Sequence, residues 1–338
     1  MAVERGTTTL RFMVIANPRA GRGRGSKIIP VVREFLASWG LPFDIRVTEG
    51  PGEATRYAHE AALSGYDVVV AAGGDGTVNE VANGIMGKGT ILGVIPCGTG
   101  NDFALSLGIS KDPVRACRTL VAGCVARLDI GRVLDRYFVS SVGVGFDGTV
   151  AKEANRSIPV LRGAAVYVLA LLKVLLTYAA PRMRIRLDHK SISLDAQLVA
   201  ITNAPTYGGG MRIAPEAIMD DGMFEVCIME RMGSLETLYH LPKVFKGTHV
   251  RLPKVKMYRA KEIWIESDRT VPLHMDGEVT EASALHFEIR NQALPVIIGR
   301  RDRLARQAPY AAPTAGDDAL GRQGISVGLA SFGKVEGR

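Results

Sequence analysis

Residues 73–77, Gly73-Gly74-Asp75-Gly76-Thr77, set one carboxylate among three glycines. Glycine has no Cβ, so backbone at such a loop can lie close to a phosphate or to another backbone. The loop follows a short apolar, β-branched run, 68–72, which reads as a buried strand. It precedes residues 78–83, which read as the start of a helix. Strand, glycine loop and helix N-terminus together form a generic phosphate cradle, because free amides and the helix dipole favour an anion. Two more loops share this composition. One is Gly98-Thr99-Gly100-Asn101, after a strand at 90–95. The other is 17–25, which adds Arg19, Arg22 and Arg24 to neutralise phosphate charge. None ends in Gly-Lys-Ser/Thr, which excludes a Walker A loop. Three such loops at successive strand ends of one sheet would share one crevice. A carboxylate amid phosphates, Asp75, calls for a cation, and Mg²⁺ suits carboxylate, water and phosphate oxygens. A plain Asp-Gly turn is the alternative role for Asp75.

The elements that must position these loops alternate. Strands are expected at 11–16, 43–48, 68–72 and 90–95, with helices at 26–38 and 53–64. Ser26 is the expected N-cap of the first helix, with Pro30 in its first turn or so. This pattern predicts a mostly parallel sheet with helices on both faces. After about Asp129 it changes. Alternating segments at 137–144, 183–187, 193–202, 223–229, 261–266, 272–275, 285–290 and 295–298 predict an antiparallel β domain. One helix, 162–178, interrupts them. Its uncharged run, 163–172, is too short to span a membrane, so it is expected to pack, with a membrane-surface helix as the alternative. The expected organisation is an α/β domain at 1–132, a β-rich domain at 133–290, a segment at 291–306 returning to the first domain, and a flexible tail at 307–338.

Of the 338 residues, 47% are hydrophobic and 22% charged, which fits a globular chain. No apolar run follows the start, and the four cysteines form no CxxC pair. They are expected to be reduced core thiols in a cytoplasmic protein rather than a zinc site. The net charge is +8. Residues 154–187 carry six basic side chains and 237–261 carry seven, neither stretch holding an acid. Such stretches favour an anionic partner or form a solvated basic face. Their scattered aromatics and the lack of a nucleic-acid motif argue against nucleic acid.

GGDGTVNEVANG and PCGTGNDFA, with the earlier NPRAG, resemble the bacterial diacylglycerol kinase and lipid kinase family, in a superfamily shared with sphingosine kinases and, more distantly, NAD kinases. The resemblance covers about residues 10–300. It implies an N-terminal Rossmann-like α/β domain and a C-terminal antiparallel β-sandwich of the NAD kinase and diacylglycerol kinase type. It places ATP on Asn17, Pro18, Arg19, Ala20 and Gly21, on Thr48, on Gly74, Asp75, Gly76, Thr77, Val78, Asn79 and Glu80, and on Thr99. Ala20 stands where the family usually carries serine. Thr48 and Thr99 also suit helix caps or turns. Residues 214–226 resemble the family's magnesium segment, with Asp221 giving a carboxylate and Ile218 and Met223 giving carbonyls. On its own Asp220-Asp221-Gly222 reads as a hairpin turn. Asp276-Gly277-Glu278 resembles the segment carrying the general base, which puts that role on Glu278 beside catalytic Asp75. Asp102 and Asp129 are implied as a supporting acidic network.

The function so implied is transfer of the γ-phosphate of Mg-ATP to a lipid hydroxyl, with diacylglycerol giving phosphatidic acid. Phosphatidylglycerol, a sphingoid base, ceramide and, more remotely, NAD are the alternative acceptors. The expected setting is cytoplasmic, peripheral to an anionic membrane surface reached through the basic stretches. A homodimer is compatible with the resemblance.

Overall fold

The computed structural model describes residues 10–156 and 164–299. The expected tail at 307–338 lies outside the described residues.

The first half alternates strand and helix: β1 (Phe12–Ala16), α1 (Ala20–Ser38), β2 (Phe43–Val47), α2 (Glu53–Leu63), β3 (Val68–Gly73), α3 (Asp75–Ile85), β4 (Ile91–Pro96), then α4 (Asp102–Ser106) and α5 (Pro113–Ala122). The strands are parallel, in the order β2-β1-β3-β4. β1 and β3 are buried along their whole length, as expected of strands covered on both faces. Register decides where the loops emerge. Ala16 lies opposite Val47 and Ala72, and Gly73 lies opposite Pro96, so the strand ends are flush.

The second half is mainly antiparallel. It runs β5 (Cys124–Val133), β6 (Arg136–Phe138), β7 (Ser141–Gly145), α6 (Phe146–Arg156), α7 (Ala164–Thr177), β8 (Arg182–Leu187), β9 (Lys190–Thr202), β10 (Phe224–Glu230), α8 (Ser234–Lys246), a 3-10 turn (Thr248–Arg251), β11 (Val255–Ala260), β12 (Glu262–Met275) and β13 (Glu278–Ile298). Its core gathers Val142, Val144, Ile201, Phe224, Val226 and Phe287. Phe138 stacks on Phe224 at 5.6 Å and meets Phe287 edge-on at 6.3 Å. β13 ties the halves together. It pairs antiparallel with β12 and β5, and near its end Val296 pairs parallel with Leu92 of β4.

Several local expectations differ from this architecture. Segments expected as separate strands at 261–266 and 272–275 belong to the single strand β12, and those at 285–290 and 295–298 to β13. Register shifts between Glu266 and Val271 and between Arg290 and Leu294 break the alternation and hide the continuity. The β region holds α6 and α8 besides the one expected helix. Pro242 inside α8 masks the helical pattern. Ser26 is no N-cap. The helix begins at Ala20, is interrupted by left-handed Gly21, Arg22 and Gly23, and resumes with the Ser26 hydroxyl donating to the Pro18 carbonyl at 3.1 Å.

Candidate active site

The chain leaves β1, β2 and β4 with one further hydrogen bond each. Asn17 N–H donates to Ala72 O, Thr48 N–H to Ala16 O and Cys97 N–H to Gly73 O, all at 2.9 Å. The loops then touch. A Cβ on Gly98 would lie 2.4 Å from the Gly74 Cα, so only glycine lets these backbones meet. Asn17 Nδ2 donates to Thr77 Oγ1 at 3.2 Å, and Asn17 Oδ1 accepts from Arg19 N–H at 3.0 Å. Arg19, Arg22, Arg24 and Thr99 are exposed on this side. Thr48 is buried, and Glu80 turns away to accept the Ala54 amide of α2 at 3.1 Å.

Asp75 opens α3 and laces two loops together. Its Oδ2 accepts Asn101 N–H at 2.7 Å and its Oδ1 accepts Phe103 N–H at 3.1 Å. Burial raises its pKa, and those two amides oppose the rise.

The facing wall is the β12–β13 hairpin. Asp276 and Gly277 form its two-residue turn with φ of 43° and 102°, closed by the pair Met275–Glu278. Positive φ at both positions is the type I′ requirement that Asp-Gly satisfies. A Cβ on Gly277 would lie 3.8 Å from the Gly76 N, so the turn rests on the first residues of α3. Asp276 accepts Val139 N–H at 2.7 Å and Ser141 N–H at 3.2 Å. Burial pushes its pKa up to about 7, and the nearby Asp75 charge adds to the rise. Glu278 is half-exposed at the cleft's edge and pairs with Arg136 at 2.5 Å.

Asp102 joins the same cleft from α4. It accepts Gly209 N–H at 2.7 Å and Gly210 N–H at 2.8 Å, pinning the loop after β9 to the phosphate side. Burial and then the Asp75 charge raise its pKa. Asp75, Asp102 and Asp276 therefore crowd charge that a hard divalent cation would relieve, through lone pairs not taken by amides. Their donor chemistry fits Mg²⁺.

The structure puts Asp129 elsewhere. Its Oδ2 accepts Gly222 N–H at 2.6 Å and its Oδ1 accepts Gln292 N–H at 2.7 Å. Its own N–H donates to Met219 O at 2.8 Å. Asp129 thus ties β5 to the segment holding Ile218, Asp221 and Met223, whereas Asp102 ties α4 to the 208–210 loop. Asp221 accepts Met223 N–H at 3.1 Å and pairs with Arg259. Burial, then Asp221 and Asp220, raise the Asp129 pKa. Carboxylate and main-chain oxygens of this segment fit a hard cation in kind, with Arg259 already supplying part of the neutralising charge.

Three features escaped the sequence reading. Arg136 lies 142 residues from its partner Glu278, and no local pattern pairs them. The Gly208-Gly209-Gly210 run drew no reading, and its amides bind Asp102 from more than 100 residues away. Asp147, at the start of α6, is half-buried, with its Oδ2 shielded from solvent. Its Oδ1 accepts Gly148 N–H at 2.7 Å, while its Oδ2 has no partner among the described residues. Burial pushes its pKa up to about 7.

Residues 11–133 match the diacylglycerol kinase catalytic domain, and residues 140–298 match the YegS C-terminal NAD kinase beta sandwich-like domain. The chain is 30% identical over 271 residues to a diacylglycerol kinase of Bacillus subtilis (strain 168), covering 79% of this chain and 89% of that one. It is 33% identical over 270 residues to a diacylglycerol kinase of Staphylococcus aureus (strain MRSA252), covering 79% and 86%. Its fold resembles the crystal structure of a putative diacylglycerol kinase from Bacillus anthracis str. Sterne, with TM-score 0.72, 24% identity, and coverage of 87% of this chain and 99% of that one. The chain therefore belongs to the bacterial diacylglycerol kinase family of ATP-dependent lipid kinases, with an α/β catalytic domain followed by a β-sandwich domain.

Proposed function

We propose that the protein transfers the γ-phosphate of ATP to the free hydroxyl of diacylglycerol, giving phosphatidic acid and ADP. The observation that carries this reading is the contact of the Asp276–Gly277 turn with Gly76, which brings a carboxylate hairpin against a crevice of phosphate loops. The names of the curated relatives support diacylglycerol as acceptor. Residues 1–132 would bind the nucleotide and 133–290 the acceptor; of the returning segment expected at 291–306, the end of β13 pairs with β4 and β5, and 300–306 lie outside the described residues.

Amides of the three glycine loops, with Arg19, Arg22 and Arg24, hold the triphosphate. Asn17 and Thr77 fix the first loop against the second. Asp75 keeps the second and third loops in register. Bound magnesium neutralises phosphate charge; Asp75 and Asp102 would hold the ion at the cleft, and Asp221 with the Ile218 and Met223 carbonyls would hold a structural one. Glu278, steadied by Arg136, accepts the proton of the lipid hydroxyl. That oxygen bonds to the γ-phosphorus as the bond to the β-bridging oxygen breaks. Positioning and charge stabilisation suffice for such a transfer, so no nucleophilic Ser or Cys is required.

A second reading gives the base to Asp276, because its pKa lies near neutrality and its turn touches Gly76. Its oxygens, however, are occupied with the Val139 and Ser141 amides. That makes it the anchor of the hairpin, and Glu278 the freer base.

No helix among the described residues is long and apolar enough to cross a membrane. The enzyme would meet its lipid peripherally, at the cytoplasmic surface. The test is transfer of labelled γ-phosphate from Mg-ATP to diacylglycerol, phosphatidylglycerol, sphingosine and ceramide in mixed micelles, with NAD as a soluble acceptor. Labelled phosphatidic acid is expected. Preferential labelling of another lipid would overturn the acceptor, and labelling of NAD alone would overturn the lipid reading.

A further inference from the structure

α7 and α8 lie side by side, joined where the Ser234 hydroxyl donates to the Leu175 carbonyl. Each buries one face. Ala170, Val174 and Leu175 of α7 pack on Phe146 and Val150 of α6, and Val244 of α8 enters the core beneath it. The outer faces should then be polar, as on an ordinary surface helix. They are not. α7 exposes Leu169, Leu172 and Leu176 at spacings of three and four, and α8 exposes Leu235, Leu238, Tyr239 and Phe245. Leu176, Leu235 and Tyr239 are 81%, 84% and 74% exposed. Single exposed leucines need no explanation, but apolar stripes on two adjoining helices mark an interaction surface.

Charge indicates what covers it. Lys173 sits within the α7 stripe, Lys243 lies over the Tyr239 ring at 5.4 Å, and Lys246 closes α8. Of the seven basic residues from 237 to 261, Lys254 pairs with Glu236 and Arg259 with Asp221 and Glu225, while Lys243 and Lys246 belong to α8 itself. The nearby acids are already engaged: Glu153 with Lys173, and Glu236 with Lys254. Apolar stripes edged by lysine match a bilayer with anionic headgroups better than a second apolar protein face. The position is also suitable. Thr177 and Tyr178, at the end of α7, line a cavity of about 420 Å³ with Thr149, Lys152, Arg269 and Glu281. Glu281 is three residues along β13 from Glu278.

We propose that α7 and α8 form a bilayer-docking face, their leucines entering the boundary between headgroups and acyl chains and their lysines meeting anionic headgroups. The cavity beside α7 would then open at the membrane surface, next to the catalytic hairpin. The proposal rests on the reading of the acceptor as a membrane lipid.

The test is co-sedimentation of the full chain with vesicles of phosphatidylcholine alone or mixed with phosphatidylglycerol. The wild type is expected to prefer the mixed vesicles and to lose that preference in high salt. The double variant Leu176→Glu, Leu235→Glu should partition about tenfold less while phosphorylating dispersed short-chain diacylglycerol normally. Partition within about twofold of wild type would overturn the proposal. So would loss of self-association by the variant in sedimentation velocity, which would assign the face to a second copy. As an independent readout, Leu235→Trp should show blue-shifted emission on adding mixed vesicles, and an unshifted spectrum would count against docking. Docking that depends on this face, without phosphorylation of any lipid by the wild type, would support the surface and sink only the acceptor reading.

Discussion

The crevice wall at the ends of β1, β3 and β4 is made of backbone: flush strand ends, amides and glycines in van der Waals contact. The wall facing it, the β12–β13 hairpin with the 208–210 loop, is made of side chains: Asp276, Glu278, Arg136 and the Asp102 carboxylate that pins the loop. The first wall is expected to be most sensitive to added bulk where its glycines meet. The second is expected to be most sensitive to the loss of a carboxylate. Asp75 belongs to both, because its carboxylate organises backbone amides while its charge bears on Asp102 and Asp276.

The largest effect should therefore come at Asp75. Asp75→Asn turns an amide N–H₂ toward either Asn101 N–H or Phe103 N–H, loosening the third loop and weakening the charge balance of the cleft. We expect kcat/KM for ATP to fall about 10³-fold, measured by steady-state kinetics. A loss below about tenfold would show that the loops hold their register without it. The next largest should come from adding a methyl group to the backbone wall. Gly98→Ala places a Cβ 2.4 Å from Gly74 Cα and must push the loops apart. KM for ATP should rise and kcat/KM fall about 10²-fold, since misplacement of the reacting groups is costly. An unchanged KM would break the claim that this contact shapes the nucleotide site.

The smallest effect sharpens the account of buried carboxylates on the β side. Asp147 has a pKa of about 7 in the fold against 3.8 as a free group. The folded state holds the proton more tightly than the unfolded chain. Its contribution is thus fully present below about pH 4 and is lost as the pH rises through about 7. Asp147→Asn removes that dependence. The variant should match wild type in thermal stability near pH 4 and exceed it near pH 8 by roughly 2–4 kcal/mol. Parallel stability profiles would show that Asp147 is not held neutral.

What could be read from the sequence follows the same division. The backbone wall was legible because its determinants are local: β-branched runs, glycines at their ends, and a helix start, read at 78 although the helix opens a turn earlier at Asp75. Parallel strands then place Gly74 and Gly98 side by side with no further information. The side-chain wall was only partly legible. Asp276-Gly277 declared its turn, yet the Arg136–Glu278 pair and the Asp102 bonds to Gly209 and Gly210 join residues more than 100 apart. Such bonds leave no trace in spacing. The resemblance grouped Asp102 and Asp129 in one acidic network, and only the fold shows that they anchor different segments. The β12 and β13 strands read as fragments because their bulges shift the alternation by design of the ladder, not by interruption of the chain.

The most direct test separates the two walls in one variant. Glu278→Gln keeps the shape of the hairpin and removes its proton acceptor. Binding of Mg-ATP by calorimetry and transfer to diacylglycerol in a single turnover would be measured on the same preparation. The account predicts nucleotide affinity within about twofold of wild type and a transfer rate lower by about 10²-fold or somewhat more. Transfer at the wild-type rate, or loss of nucleotide binding together with transfer, would contradict it.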